Sequence, residues 1–273
     1  MTGALVLCDS SININYFGKY QPYYSRGLIK FELGDYTGAI ADFDNANKYN
    51  SEEEWLYYGR GLSKIEIQEY TGAVEDFGKA IFTNPAIPEF YIERCHGKYE
   101  IGDNFGGLND CNKAFDLSGS ISQESMMELA YFRRGLNYIE TLEYEKAIND
   151  LDEAIKSYGL DPRYYDFRGN AKIKLKDYKN GIEDYDFAID LLPNLAYFYA
   201  ERGYAKKFIK DYKGAIQDLD KSIELDPTTD LPYYYRGGIK LIMKDKKQGC
   251  ADLKIAIDKQ HLQAGKMYSK HCK

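Results

Sequence analysis

The pentad Tyr-x-x-Arg-Gly recurs along this 273-residue chain at a fixed interval, and that interval constrains the fold more than any other feature. It occupies residues 23–27, 57–61, 131–135, 165–169, 199–203 and 233–237, with a variant at 91–95 in which Cys95 replaces the glycine. Successive copies lie 34 residues apart, except that Cys95 and Gly135 are 40 apart, so six extra residues sit near 122–127. Twelve residues after each Gly or Cys stands a small residue: Ala39, Ala73, Gly107, Ala147, Gly181, Ala215 and Gly249. Seven further on come Ala46, Ala80, Ala114, Ala154, Ala188, Ser222 and Ala256, with a larger residue between each pair, such as Phe43, Phe77 or Leu151. Small, large and small at i, i+4 and i+7 share one helical face, where the small residues admit a second helix and the large one fills the gap. Two such helices per period make a hairpin.

The helix breakers agree with this phase. Pro85, Pro193 and Pro227 follow second helices, and Pro22, Pro88, Pro162 and Pro232 fall in first turns, where a missing N–H costs little. An acidic residue marks each inner turn (Asp35, Glu69, Asp103, Glu143, Asp177, Asp211, Asp245), placed to favour the start of the second helix. Counted this way, repeats begin near Tyr20, Glu54, Pro88, Glu128, Pro162, Ala196 and Asp230. The expected division is 1–19 as the second helix of a half-repeat plus linker, 20–261 as seven repeats, and 262–273 as a capping helix. Thr2, Gly3 and Ala4 match Thr37, Gly38 and Ala39, which carries the half-repeat reading.

Composition excludes several functions. A net charge of −7 and a pI near 5.2 argue against general affinity for nucleic acid. No apolar run approaches the ~20 residues of a membrane span. Five irregularly spaced cysteines do not make a disulfide framework, and neither Cys95–His96 nor His271–Cys272 belongs to a zinc-ligand spacing. Buried thiols are expected at Cys95 and Cys111, whereas Cys250 and Cys272 could meet where the last helix folds back. With three histidines, no phosphate-cradling glycine loop and no nucleophile motif, neither catalysis nor a cofactor is expected. Residues 1–8 carry no basic leader, so a cytoplasmic setting is favoured; a chain that begins inside an array would have left any export signal upstream.

The 34-residue unit, with its aromatic, Gly, Ala, large residue, Ala and Pro at these offsets, resembles the tetratricopeptide repeat. The likeness covers about nine-tenths of the chain. It implies an all-α fold: helical hairpins wound into a right-handed α-solenoid superhelix that binds a protein or peptide in its concave groove. Carried over by offset, the groove candidates are Tyr24, Leu28, Trp55, Tyr58, Leu62, Glu66, Ile92, His96, Tyr99, Phe132, Asp166, Asn170, Tyr197, Tyr204 and Lys207. Glu32, Glu66, Glu100 and Glu140 share one position in the first four repeats, so a basic partner segment is expected at the N-terminal half. The family's carboxylate clamp is not matched: Tyr24 with Leu28 and Tyr58 with Leu62 lack the cation and amide, and Asp166 with Asn170 reverses the charge.

Arg26, Arg60, Arg94, Arg134, Arg168, Arg202 and Arg236 are each followed sixteen residues later by aspartate, from Asp42 to Asp252. A partner contact usually differs from repeat to repeat, so this uniform pair is expected to be structural, joining first and second helices. The alternative function is an architectural, self-associating or regulatory repeat region of a larger protein, with homodimerisation through the exposed half-repeat.

Overall fold

The computed structural model describes residues 2–13, 20–118 and 124–272, and every regular element among them is an α-helix. They divide into two compact units, 1–143 and 144–273. The first holds α1 (Thr2–Asn13), α2 (Tyr20–Glu32), α3 (Tyr36–Asn47), α4 (Glu54–Glu66), α5 (Tyr70–Thr83), α6 (Pro88–Glu100), α7 (Asn104–Ser118) and α8 (Glu124–Glu140). The second holds α9 (Tyr144–Ser157), α10 (Pro162–Lys174), α11 (Tyr178–Leu191), α12 (Ala196–Phe208), α13 (Tyr212–Leu225), α14 (Leu231–Ile242), α15 (Lys246–Asp258) and α16 (Ala264–His271). Within each unit, successive helices pack as hairpins, and each hairpin packs on the next in sequence order. None of the described helices is long and apolar enough to cross a membrane. Of the six inserted residues expected at 122–127, those at 124–127 lengthen α8 to 17 residues, and the others lie outside the described residues.

The inner turns explain the recurring acid. In the first, Asp35 donates its N–H to Lys30 O at 2.9 Å while Gly34 donates to Phe31 O, the paired bonds that close a helix C-terminus. The Asp35 carboxylate then accepts from Gly38 N at 2.9 Å, so one residue ends α2 and caps α3. Asp103, Asp211 and Asp245 cap in the same way, while Glu69 and Asp177 make no such bond. The residue before each acid is left-handed, with φ +78° at Gly34 but +65° at Lys210 and +68° at Lys244.

The pentad resolves into four jobs. Its tyrosine donates from the hydroxyl to the linker carbonyl six residues back, as Tyr57 does to Ser51 O at 2.9 Å and Tyr199 to Pro193 O at 3.0 Å. The same ring lies under the arginine, 5.5 Å from the Arg60 guanidinium to the Tyr57 centroid. The arginine grips its aspartate with two bonds: Arg60 Nε and Nη2 reach Asp76 at 2.8 and 2.5 Å. The glycine leaves room for the facing ring, since a Cβ on Gly61 would stand 2.6 Å from Phe77.

The arginine's remaining nitrogen reaches back to the preceding repeat. Arg60 Nη1 meets Asp44 at 2.5 Å, and Arg202 and Arg236 meet Asp186 and Asp220 in the same way. A lysine four residues on adds a third donor, Lys64 to Asp76 at 2.7 Å. The charged ladder is therefore structural, joining helices within a repeat and neighbouring repeats. On α1, Asp9 meets Arg26 Nη1 at 2.6 Å, a contact of the same form as Asp44 with Arg60.

The cysteines depart from expectation at one pair. Cys95 and Cys111, expected as buried thiols, form a disulfide between α6 and α7, because their shared packing face brings the Cα atoms within 5.6 Å. Cys250 is bridged to Cys272, just past α16, also with Cα atoms 5.6 Å apart. At the start of α16, Ala264 is fully buried against Tyr233 and Ala256.

Candidate partner-binding faces

The first helix of each hairpin presents the residues that vary between repeats. In the first unit, Tyr20 stacks on Tyr24 with centroids 5.5 Å apart, and Trp55 stands edge-on to Tyr58 and Phe90 at 5.5 and 5.1 Å. Trp55 remains 38% exposed. A cleft of about 240 Å³ is lined by Tyr58, Glu89, Ile92, Glu93, Met126 and Leu129. Burial, reinforced by the Glu93 charge, raises the Tyr58 phenol above its usual pKa. Leu28 and Glu66 are exposed, and Tyr24, Leu62, His96 and Tyr99 are half-buried. Ile92 and Phe132 were carried over by offset as groove residues, yet they are only 2% and 6% exposed. Ile92 packs against Met126 and Ala130 of α8, while Phe132 is simply buried. Glu32, Glu66, Glu100 and Glu140 are all exposed, each the last residue of its helix.

The second unit's face is built from α10, α12 and α14. Tyr204 stacks on Tyr235 at 4.5 Å, and the two form one wall of a cleft of about 550 Å³ that also takes in Lys207, Tyr234, His261 and Met267. Burial lowers the Lys207 pKa. Asp166 and Asn170 are half-buried on α10, and Tyr197 is exposed on α12. Glu201, which the offset rule did not select, is 9% exposed. It sits one position from the groove register, and its only sequence signal is a glutamate where four of the other six repeats carry a neutral aromatic, Ser or Gly.

Burial lifts the Asp166 carboxyl to about 6 and, together with the Asp166 charge, the Glu201 carboxyl to about 7. The folded chain thus keeps protons that the unfolded chain releases near pH 4. The stability these protonated groups confer is complete below that pH and is lost as pH rises through 6 to 7. The Asp166→Asn, Glu201→Gln double variant should therefore match the parent at pH 4 and exceed it at pH 8 by on the order of 2 kcal/mol. Urea titrations at the two pH values measure the difference, and equal curves at pH 8 would refute it.

Hairpins packed in sequence order, several of them tied to the preceding one by an arginine–aspartate pair, define a helical-repeat protein. The family model for the tetratricopeptide repeat matches residues 20–53 and 196–229, the first and sixth hairpins. No curated protein sequence matches the chain. Among solved structures, the chain resembles the APC/C hetero-tetramer Cut9–Hcn1 (TM-score 0.71, 15% identity), covering 98% of this chain and 52% of that one. It thus spans about half the length of that protein. A tetratricopeptide-repeat protein from Parabacteroides merdae gives a TM-score of 0.66 at 18% identity, with 93% and 99% of the two chains covered. YrrB, described as a tetratricopeptide-repeat protein with an unusual peptide-binding site, gives 0.58 at 21% over 72% and 98%. At these identities the likeness speaks for the fold.

Proposed function

We propose that the first-helix faces of this chain bind an extended segment of another protein, basic where it crosses the N-terminal repeats. Tetratricopeptide repeats are generally interaction scaffolds, without catalytic roles, and one structural relative is described by its peptide-binding site. The observation that carries the reading is a contrast between two sets of residues. The ladder and packing residues repeat almost unchanged, whereas the first-helix surface varies and is rich in aromatic rings, which give large contact area at low entropic cost. The preference for a basic segment is supported by four exposed glutamates at helix C-termini, where the macrodipole disfavours negative charge by about 0.3–1 kcal/mol each.

Peptide-display selection on the full chain tests this proposal. Selected segments should be enriched in Lys and Arg. Their affinity should fall at least tenfold with the Trp55→Ala, Tyr58→Ala pair and stay unchanged with Phe82→Ala, a 91% exposed ring on the second helix α5. Equal losses from the two substitutions, or no selected segment, would count against the proposal.

A further inference from the structure

Two repeats carry a glutamate two residues after the pentad tyrosine, and they treat it differently. Glu93, on α6, is met at 2.7 Å by Arg133, which occupies the same register position in the next repeat. Glu201, on α12, has Tyr235 at that position in the following repeat, and no cation among the described residues lies within ion-pair distance of it. Lys174 is exposed and influences Glu201 from a distance without contacting it.

The surroundings of Glu201 add a second acid and two unsatisfied polar atoms. The Asp166 Oδ1 atom is buried with no hydrogen-bond partner. Tyr185, on α11, is fully buried, and its hydroxyl lies close beside Asp166 and Tyr197 without a hydrogen bond of standard geometry to either. A buried polar atom without a partner costs about 1–3 kcal/mol, and a buried carboxylate without a countercharge costs more. Folding does not require this arrangement, because the equivalent of Glu201 is Ser25, Gly59, Phe167 or Tyr235 in other repeats. The rings of Tyr197 and Tyr235 stand at the same site, both close enough to feel the Glu201 charge or lend theirs to it. Two carboxylates, a buried phenol oxygen with acceptor capacity to spare and aromatic faces form a receptor for an organic cation.

We propose that Asp166, Tyr185 and Glu201, walled by Tyr197 and Tyr235, bind a lysine or arginine side chain of the segment seated on this face, a reading that rests on the proposed function. The incoming cation supplies for Glu201 what Arg133 supplies for Glu93. Its N–H groups donate to the two carboxylates and to the Tyr185 oxygen. The groups facing the site are Asp166 and Lys174 on α10, Tyr185 on α11, Tyr197 and Tyr204 on α12, and Tyr235 on α14. Because both acids must ionise to receive a cation, binding strengthens as pH rises from 5 to 8.

The test uses N-acetyl-arginine amide, with N-acetyl-citrulline amide as the uncharged match, titrated into the full chain carrying ring-labelled tyrosine and followed by NMR. The expected result is saturable movement of the Tyr197 and Tyr235 signals with the arginine probe alone. Binding should weaken at least tenfold in Glu201→Gln and in Asp166→Asn, stay unchanged in Glu224→Gln on the second helix α13, and strengthen severalfold from pH 5 to pH 8. No saturation, or equal response to the citrulline probe, would overturn the proposal. A display-selected segment that binds the parent and Glu201→Gln equally would overturn it while leaving the interaction face standing. A chain that binds the arginine probe but selects no segment would sink the proposed function and keep the pocket.

Discussion

Arg60→Ala is expected to destabilise the chain by about 3–5 kcal/mol, because it strips the guanidinium from a carboxylate that has nowhere else to go. Asp76 is 1% exposed and accepts from Arg60 at 2.5 and 2.8 Å and from Lys64 at 2.7 Å. With Arg60 removed, the buried charge keeps only Lys64 and the more distant, exposed Lys79 at 3.8 Å, and the link from Arg60 to Asp44 in the preceding repeat is also lost. The double variant Arg60→Leu, Asp76→Leu should cost less than the single one, since no charge is then left stranded. Arg60→Lys should fall between the parent and Arg60→Ala, keeping a cation but losing the two-pronged grip. Repeat arrays often unfold in parts, so native-state hydrogen exchange of α4 and α5 is the suitable readout. A loss below 1 kcal/mol in Arg60→Ala would contradict the account of the ladder.

Reduction is the second large perturbation. Each bridge closes a short loop, 16 residues for Cys95–Cys111 and 22 for Cys250–Cys272, and loops of that size stabilise by about 3 kcal/mol through the unfolded chain. Under oxidising conditions, alkylation of the unfolded chain should label one cysteine, Cys8, before reduction and all five after it. Thermal unfolding should shift downward on reduction, and Cys95→Ala with Cys111→Ala should reproduce the part belonging to α6 and α7. Five alkylated cysteines before reduction would show that the pairs do not form.

The hairpins were legible in the sequence because their determinants are local and repeated. A glycine that faces a ring, an acid that ends one helix and caps the next, and prolines confined to helix edges act within a few residues, and seven copies reinforce one another. The aspartate ladder was legible as a pair, but its third member was not. The lysine at Lys64 and its counterparts reads as an ordinary exposed helix residue until the hairpin turns it onto the buried aspartate. Cys95 and Cys111 read as two packing residues, since only the hairpin geometry shows that their positions face each other. Among the face residues, the offset rule selects two positions that are largely buried, Ile92 and Phe132, and it passes over Glu201. The isolation of Glu201 depends on what the next repeat lacks, and a repeat pattern read for what recurs does not register an absence.

Hydrogen exchange of the full chain with and without a display-selected segment tests most directly whether these repeats hold a partner on their first helices. The account predicts added protection along α2, α4 and α6 or along α10, α12 and α14, with α3, α5, α11 and α13 unchanged. Protection concentrated on the second helices, or confined to α1 and α16, would contradict it.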